Sequence, residues 1–254
     1  MKKTIFCLFA CAIFSATVGA ESDLEKIDSV LLKMSERARA EIKISDKDAF
    51  LSDLNGVLSE DKSDSDLSLY HLVDKKHAVS ATYAPKNQKI LENNSLFSVN
   101  KPNMTLRTEA FSALEEMARG ALSDGVKLLV SSAYRSYSYQ ERLFNNYVKA
   151  DGLEAAERYS ARPGTSQHQL GCAVDFGSIT DDFAETKMGK WVYENAWKYG
   201  WTLSFPRGYE DVTGYMWECW HFRYVGKKAA QMQSRWFGGI QQYMLEFIAL
   251  WREE

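Results

Sequence analysis

The alternation of apolar and polar positions divides the chain into an N-terminal helical segment, an acidic stretch and a longer mixed segment. Apolar residues within 22–44 recur three and four positions apart with charges between them, which predicts an amphipathic helix. These residues are Leu24, Ile27, Leu31, Met34 and Ala38. Residues 45–66 are rich in Asp, Ser and Glu and predict a flexible linker or a long loop.

From Leu67 onward, helical and strand patterns follow one another without a steady strand–helix–strand rhythm. Residues 161–169 contain Pro163 and Gly164 and predict a loop. Because a regular alternation of strands and helices is missing, an α+β fold with an antiparallel sheet is favoured. Helices are predicted over 107–122, 140–148, 187–199 and 226–250, and strands over 126–132, 171–176, 201–205 and 217–224.

The composition is that of a globular protein, with 45% of the 254 residues hydrophobic and 26% charged. A chain of this length predicts one or two domains. Lysine and arginine number 31 against 34 aspartates and glutamates, which gives a net charge of −3. The chain therefore lacks the basic surface of a protein whose main partner is nucleic acid. Four cysteines are too few for a fold built on disulfides.

The first 20 residues have the features of a secretory signal peptide. Lys2 and Lys3 precede an apolar run over 5–18, and small residues follow it up to Ala20. The run is shorter than the roughly 20 residues of a membrane-spanning helix, which argues against a membrane anchor. A lipid anchor at Cys11 is an alternative, although the apolar stretch before that cysteine is short.

Cleavage after Ala20 predicts an exported protein, which in a bacterium would lie in the periplasm or cell envelope. No later apolar run is long enough to cross a membrane, so the mature chain is predicted to have no transmembrane segment. Cys172 and Cys219 remain after cleavage and meet an oxidising compartment. The predicted parts are a signal peptide (1–20), a helical extension with an acidic linker (21–66) and a compact domain (67–254).

Two short segments carry titratable side chains in apolar surroundings. Asp175 lies in an apolar strand, where a carboxylate is costly to bury unless it is paired or bound to a metal. His168 lies on the loop before that strand. In the segment 217–224, Glu218 and His221 are flanked by aromatic residues. Because successive side chains of a strand point to opposite faces, Glu218 and His221 can serve one site only if the strand bends or ends there.

Two imidazoles and one carboxylate are what a catalytic zinc ion needs from the protein, with its fourth position left for water. His168, Asp175 and His221 are the candidate ligands. Zinc lowers the pKa of a bound water to about 7, and Glu218 is the candidate general base and acid. Arg135 follows a predicted strand and could stabilise a developing oxyanion, although an arginine there is by itself more typical of a surface ion pair.

Three sequence elements in this order resemble the VanY-type D-alanyl-D-alanine carboxypeptidases, zinc peptidases that act on bacterial cell-wall peptides. The elements are Ser132-Ala133-Tyr134-Arg135-Ser136 with Gln140, then Pro163-Gly164-Thr165-Ser166-Gln167-His168-Gln169 with Gly171-Cys172-Ala173-Val174-Asp175, then Glu218-Cys219-Trp220-His221. Each element is weak by itself, whereas the combined pattern is specific. The resemblance covers residues 67–230 of the chain.

The resemblance implies a zinc ion as cofactor, with His168, Asp175 and His221 as ligands and Glu218 as catalytic base. The expected reaction is hydrolysis of the terminal D-Ala of peptidoglycan stem peptides by zinc-activated water. The alternatives are L,D-carboxypeptidase activity on tetrapeptide stems, endopeptidase cleavage of cross-links, and a non-catalytic zinc-stabilised module that binds the cell wall.

The resemblance also implies a small antiparallel sheet flanked by helices, with residues 21–66 outside the match as an N-terminal helical extension. Arg135 is expected to stabilise the tetrahedral intermediate or to hold the substrate. Gln140 and Ser166 are expected to line the substrate cleft. The oligomeric state is left open.

Cys172 and Cys219 depart from the family pattern, which commonly has an aliphatic residue and a proline at these positions. Their joint appearance beside two ligand-bearing segments predicts a disulfide. Such a bond closes a loop of about 47 residues and adds roughly 4 kcal/mol in the chain-entropy model. Two buried free thiols are the alternative. Thiolate zinc ligands are disfavoured, because they would displace the open catalytic position.

The motifs of other peptidase classes are absent. Ser-x-x-Lys occurs at Ser59–Lys62 and at Ser98–Lys101, but the Ser-Asp-Asn and Lys-Thr-Gly motifs of serine D,D-peptidases do not. His-Glu-x-x-His, the helical motif of common zinc proteases, is also absent. The zinc reading therefore depends on ligands from a loop and two strands.

Overall fold

A computed structural model describes residues 23–61 and 66–254. The signal peptide predicted over 1–20 and residues 62–65 of the acidic stretch lie outside the described residues. Within the described parts, every helix is too short or too polar to cross a lipid bilayer.

The described strands form two sheets. They are β1 (Gln88–Ile90), β2 (Phe97–Val99), β3 (Thr105–Arg107), β4 (Leu128–Ser132), β5 (Ala173–Phe176), β6 (Trp201–Leu203) and β7 (His221–Tyr224). The main sheet has the strand order β2-β4-β5-β7-β6, while β1 and β3 form a separate antiparallel pair. Three pairs of the main sheet are antiparallel and β2–β4 is parallel.

Helices surround the main sheet and form the two ends of the described chain. They are α1 (23–33), α2 (Glu36–Glu41), α3 (Lys47–Leu58), α4 (Thr108–Ser123), α5 (Tyr137–Asp151), α6 (Leu153–Tyr159), α7 (Lys187–Asn195), α8 (Glu210–Thr213), α9 (Lys227–Trp236) and α10 (Gln241–Glu253). Turns of 3₁₀ helix occupy Gln167–Leu170, Asp181–Glu185 and Ala196–Tyr199.

The predicted α+β fold, a small sheet flanked by helices, is confirmed. The predicted antiparallel sheet differs at one edge, because α4 lies in the connection between β2 and β4 and lets the chain return in a parallel direction. Side-chain caps fix several helix starts, as where Ser136 accepts a hydrogen bond from the Tyr139 amide at the start of α5. Gly200, with φ of 83°, ends the turn that follows α7, as predicted.

Two hydrophobic clusters hold these elements together. The sheet cluster packs the main sheet against α4 and α7. Its buried residues include Phe97, Leu114, Met117, Val130, Val174, Phe176, Val192 and Trp201. The helical cluster packs α1, α2 and α3 against α9 and α10. Its buried residues include Ile27, Val30, Phe50, Leu54, Trp236, Phe237, Tyr243 and Phe247.

The structure corrects the prediction of a linker over 45–66. Residues 47–58 form α3, whose apolar face is buried in the helical cluster. The ring centroid of Phe50 lies 5.9 Å from that of Trp236 and 5.1 Å from that of Phe247. The helix predicted over 22–44 is divided into α1 and α2, because Ser35 caps the second helix by accepting a hydrogen bond from the Ala38 amide at 3.1 Å.

Candidate active site

The register of the main sheet places Asp175 and His221 side by side, Asp175 on β5 and His221 on β7. His168 lies in the 3₁₀ turn just before β5, where the Ser166 hydroxyl accepts a hydrogen bond from the His168 amide at 3.3 Å. His168 is 0% exposed, and Asp175 and His221 are each 4% exposed. The fold thus brings together the three residues that the sequence singled out as candidate ligands.

Glu218 joins these residues because β7 begins only at His221. The His221 amide donates to the Glu218 carbonyl at 3.3 Å, which forms a turn ahead of the strand. Through this turn, Glu218 Oε2 lies 3.6 Å from His221 Nδ1. Of the two conditions under which both residues could serve one site, a strand that bends or a strand that ends, the structure has the second, and the strand predicted over 217–224 begins only at His221.

The three candidate ligands form a compact cluster. His168 Nε2 lies 3.3 Å from Asp175 Oδ2, and His221 Nδ1 lies 3.1 Å from Asp175 Oδ1. The two imidazole rings meet edge to face with their centroids 4.7 Å apart. One ligand atom from each residue lies within 4.8 Å of the others. Two imidazole nitrogens and a carboxylate at this spacing could hold a metal ion.

Hydrogen bonds at the far side of each ring determine which nitrogen faces the cluster. Nδ1 of His168 donates to the Ala133 carbonyl at 2.7 Å, and Nε2 of His221 donates to the Gln167 side-chain oxygen at 3.2 Å. With the neutral rings protonated there, His168 Nε2 and His221 Nδ1 turn lone pairs toward Asp175. Among the described residues, His168 Nε2 and Asp175 Oδ1 have no hydrogen-bond partner. Buried acceptors without a donor fit a shared cation.

Gln167 is a residue to which the sequence analysis assigned no role. It is 4% exposed, and its side-chain oxygen also accepts from the Ser204 hydroxyl at 2.7 Å. Its amide nitrogen donates to Gln241 on α10 at 3.2 Å. These bonds fix the amide that orients the His221 ring. In the sequence, the only indication of this role is that Gln167 directly precedes the candidate ligand His168.

Burial shifts the pKa values of His168 and Glu218. Burial, and then the charge of Arg135, lower the pKa of His168 to about 4, so the imidazole is neutral at pH 7. Burial, and then the carboxylate of Asp175, raise the pKa of Glu218 well above its usual value against the opposing charge of Arg135. A neutral imidazole can bind a metal, and a carboxyl group with a raised pKa can accept and return a proton.

Arg135 places a positive charge at the edge of the cluster. Its NH1 lies 3.5 Å from Asp175 Oδ2 and donates to the Ser132 hydroxyl at 2.9 Å. Its Nε donates to the Gln140 side-chain oxygen at 3.0 Å. Gln140 is 1% exposed, and its amide nitrogen donates to the Ala161 carbonyl at 2.7 Å. The expectation that Gln140 lines the substrate cleft is not met, because Gln140 is buried behind Arg135 and off the cavity wall, where it orients the guanidinium group.

A cavity of about 300 Å³ adjoins the cluster. Polar residues on its wall include Arg135, Ser166, Asp175, Glu218 and His221. Apolar and aromatic residues on its wall include Leu143, Tyr147, Tyr159, Ile179, Phe205 and Trp220. The cavity can accept a short peptide end, with charged groups at the cluster and apolar contacts beside it.

The predicted disulfide between Cys172 and Cys219 is wrong, since both are buried free thiols. The antiparallel register explains why. The Tyr224 amide donates to the Cys172 carbonyl at one end of the β5–β7 pair, while Cys219 precedes β7 at the other end. The three steps of strand from His221 to Tyr224, at about 3.3 Å each, already separate the two ends by roughly 10 Å. Cα atoms more than about 7 Å apart cannot be bridged without backbone movement.

Comparison with known proteins identifies relatives of the whole arrangement. The family model VanY, described as D-alanyl-D-alanine carboxypeptidase, matches residues 103–227. The chain is 32% identical over 255 residues to the putative carboxypeptidase YodJ of Bacillus subtilis, and the match covers 91% of this chain and 93% of that relative.

Two solved structures share the fold. The LdcB LD-carboxypeptidase is 37% identical with a TM-score of 0.57, over 64% of this chain and 78% of that one. A mutant of the vancomycin resistance D,D-pentapeptidase VanY, in complex with Zn(II), is 27% identical with a TM-score of 0.57, over 69% of this chain and 98% of that one. The chain belongs to the VanY-type D-alanyl-D-alanine carboxypeptidase family of peptidases.

Proposed function

We propose that this chain is a zinc-dependent D,D-carboxypeptidase that hydrolyses the terminal D-Ala of peptidoglycan stem peptides. One observation carries the proposal. His168, Asp175 and His221 converge in a buried cluster with unpaired acceptor atoms, and the carboxyl group of Glu218 lies 3.6 Å from one of them. The cavity beside the cluster supplies room for a peptide end.

The residues present suit a zinc ion. His168 would bind through Nε2, His221 through Nδ1 and Asp175 through its carboxylate, the donor set of a catalytic zinc site. The ion, when bound, supplies a Lewis acid that polarises a carbonyl and makes water a better nucleophile at neutral pH. The Zn(II) complex of the VanY D,D-pentapeptidase supports this choice of metal.

Glu218 moves the proton in the proposed reaction. Its carboxylate accepts a proton from the attacking water as the water oxygen bonds to the carbonyl carbon of the scissile peptide. When the carbon–nitrogen bond breaks, the same carboxyl group returns that proton to the amine of the departing D-Ala. Its raised pKa suits both halves of this transfer, because the group holds a proton more readily than an exposed glutamate does.

Arg135 and Ser166 bind and orient the substrate in this proposal. The guanidinium of Arg135 lines the cavity beside Asp175, where it can pair with the substrate's terminal carboxylate or with the developing oxyanion. Gln140 acts through Arg135, since its side-chain oxygen accepts from the Arg135 Nε. Ser166 lines the cavity while its hydroxyl caps the turn that carries His168.

An L,D-carboxypeptidase that trims tetrapeptide stems is the second candidate function. The similarity to the LdcB LD-carboxypeptidase, at 37% identity against 27% for the VanY D,D-pentapeptidase, favours keeping it. Both reactions release one D-Ala and need the same metal and base, so the two candidates differ in the residue that precedes the cleaved bond.

We also propose export before the enzyme acts, because stem peptides of the assembled wall lie outside the cytoplasmic membrane. The predicted signal peptide over 1–20 supports this proposal. Mass spectrometry of the protein recovered from the cell envelope is expected to give Glu21 as the first residue.

Mass spectrometry of defined muropeptides tests the function. The chain without residues 1–20 is incubated with pentapeptide and tetrapeptide stems side by side, with a zinc chelator, and after zinc is restored. Glu218→Ala is compared with Glu185→Ala, a glutamate whose side chain is 82% exposed and pairs only with Lys190 among the described residues. Loss of one D-Ala from the pentapeptide, stopped by chelator and by Glu218→Ala, is expected.

Each other result points elsewhere. Trimming of the tetrapeptide alone assigns L,D-carboxypeptidase activity. Turnover that survives in Glu218→Ala contradicts the assigned base. If protein that holds zinc cleaves neither stem, cross-linked muropeptides are offered next. Their cleavage assigns endopeptidase activity, and failure there as well assigns a non-catalytic binding module.

A further inference from the structure

One wall of the cavity is a loop of residues 206–217 whose ends meet. The Glu218 amide donates to the Phe205 carbonyl at 3.1 Å and closes the loop. Loop residues on the cavity wall are Thr213, Tyr215 and Met216. Tyr215 is 4% exposed, and its hydroxyl has no hydrogen-bond partner within residues 23–61 and 66–254. A buried hydroxyl without a partner on the cavity wall is available to a substrate, so the position of this loop affects substrate binding.

Side-chain contacts hold α8 in place within the loop. Gly208 and Gly214 flank the helix with φ of 84° and 80°, in the left-handed region that favours glycine. On one side, Arg158 of α6 forms a two-pronged ion pair with Glu210, with distances of 2.7 and 2.8 Å. The Arg158 carbonyl also accepts from the Met216 amide at 2.9 Å. This side of the loop is anchored from within residues 103–227, the part that the family model matches.

The other side of the loop is anchored by Arg37 of α2, outside the family match. Its NH1 lies 2.5 Å from Asp211 Oδ1, and its NH2 donates to the Gly208 carbonyl at 3.1 Å. Its guanidinium carbon lies 4.3 Å from the ring centroid of Tyr209. One planar group of Arg37 therefore contacts three residues of the loop, at positions 208, 209 and 211.

The Arg37 side chain is itself held by the helical cluster. Its Nε lies 3.0 Å from Glu41 Oε1, one turn further along α2. Glu41 Oε2 accepts from the Tyr243 hydroxyl of α10 at 3.1 Å. A single exposed ion pair contributes little to stability. This guanidinium, however, is oriented by Glu41 and contacts a carboxylate, a carbonyl and an aromatic ring of the loop.

We propose that Arg37 is a positioning residue through which the N-terminal helical segment holds the 206–217 loop against the cavity and so sets the affinity for substrate. The proposal rests on the proposed peptidase function for its kinetic part only. Two adjacent acidic residues of α8 form ion pairs with different arginines, Glu210 with Arg158 and Asp211 with Arg37. Loss of Arg37 leaves α8 with the ion pair to Arg158 alone.

Arg235 provides a matched control. It also pairs with an aspartate, Asp53, at 3.1 Å and lies over an aromatic ring, that of Trp236, at 4.3 Å. These contacts join α9 to α3 and do not involve the loop. Arg37→Ala, Arg37→Lys and Arg235→Ala are compared in the zinc-loaded full mature chain, with thermal unfolding measured for each.

Hydrogen exchange and steady-state kinetics give two separate readouts. For Arg37→Ala, amides of 206–217 are expected to exchange about tenfold faster, because local opening becomes easier. KM for the cleaved muropeptide is expected to rise about fivefold with kcat within about twofold of wild type, as loss of binding that is equal in ground and transition states predicts. Arg37→Lys keeps the charge but loses the planar guanidinium group. Its exchange rates and its KM are expected to lie between those of wild type and Arg37→Ala.

The two readouts also separate this proposal from the proposed function. Unchanged loop exchange in Arg37→Ala overturns the positioning role, and so does an equal rise of KM in Arg235→Ala. If wild-type chain cleaves no muropeptide, the proposed function fails, while the exchange measurement still decides whether Arg37 holds the loop.

Discussion

The sheet cluster and the helical cluster differ in the kind of side chain that is buried in or beside them. Beside the sheet cluster, the polar side chains of His168, Asp175 and His221 are almost completely buried, and two of their atoms have no hydrogen-bond partner in the part of the chain that the structure describes. The helical cluster buries aromatic rings, as where Phe50 meets Phe247 at 5.1 Å. Buried unpaired polar atoms destabilise a fold, whereas packed aromatic rings stabilise it. The difference implies that the chemistry and much of the stability lie in separate parts of the chain.

The strongest test of this division removes a candidate ligand. His168→Ala is expected to abolish zinc binding and to lower kcat/KM by at least about a thousandfold, since loss of an outer-shell partner alone costs 10–100-fold. Zinc is expected to raise the melting temperature of wild-type protein by binding the folded state, and this rise is expected to disappear in the variant. Zinc content by elemental analysis and melting curves with and without zinc measure both effects.

His77→Ala is the control for the ligand variant. His77 is also a histidine beside an aspartate, with Nδ1 at 2.8 Å from Asp74, but its side chain is 52% exposed. Zinc content and kcat/KM are expected to match wild type. Full zinc occupancy in His168→Ala contradicts the assignment of this cluster as the metal site.

The converse test removes an aromatic ring from the helical cluster. Phe50→Ala is expected to lower the free energy of unfolding by about 3–5 kcal/mol, because a large cavity opens among buried rings. The folded fraction is expected to keep its bound zinc and its kcat, since the substitution removes no contact with a residue of the cavity wall. Urea unfolding followed by kinetics on the folded protein measures the two quantities.

Leu32→Ala on α1 is the control, because Leu32 is 73% exposed and a surface change of this kind stays within about 0.5 kcal/mol. If Phe50→Ala instead loses zinc while it remains folded, the two clusters are coupled and the proposed division does not hold.

The residues that the sequence singled out lie together beside the sheet cluster, because each is conspicuous within its own short segment. A carboxylate in an apolar strand, at Asp175, has few explanations other than a partner or a metal. Glu218 and His221 were three residues apart, and their common site required a turn that the structure contains. The spacing of Cys172 and Cys219 carried no such constraint, because only the strand register reveals that they lie at opposite ends of a pair.

The sequence failed over α3 because tertiary packing decides that helix. Phe50, Leu54 and Val57 recur at helical spacing and are buried, yet their neighbours within α3 include two Asp, a Ser, an Asn and a Gly. Those neighbours favour turns when they stand alone. The partners that stabilise α3, such as Trp236 and Phe247, lie far along the chain and could not be paired with it from the pattern alone.

A smaller effect is expected at Gln167, beside the candidate ligands. Gln167→Ala removes the acceptor of His221 Nε2 and is expected to weaken zinc binding about 10–100-fold, because the ring loses its orientation. Chelator competition measures the affinity. Gln169→Ala is the control, since Gln169 is also buried but donates to the Ser80 and Tyr83 carbonyls. Equal losses of affinity in both variants would falsify a specific role for Gln167.

The smallest effect tests whether 45–66 holds a helix in solution. The Asp46 side chain accepts from the Ala49 amide at 3.0 Å and caps α3. Asp46→Ala is expected to lower the free energy of unfolding by about 1 kcal/mol, whereas Asp46→Asn, which also caps, should stay within a few tenths. Urea unfolding of both variants gives the difference. A linker would tolerate either change equally, so matched stabilities of Asp46→Ala and Asp46→Asn would restore the prediction that the sequence made. A clear gap between them would instead show that the N-terminal segment contributes to the stability of the fold that holds the candidate ligands.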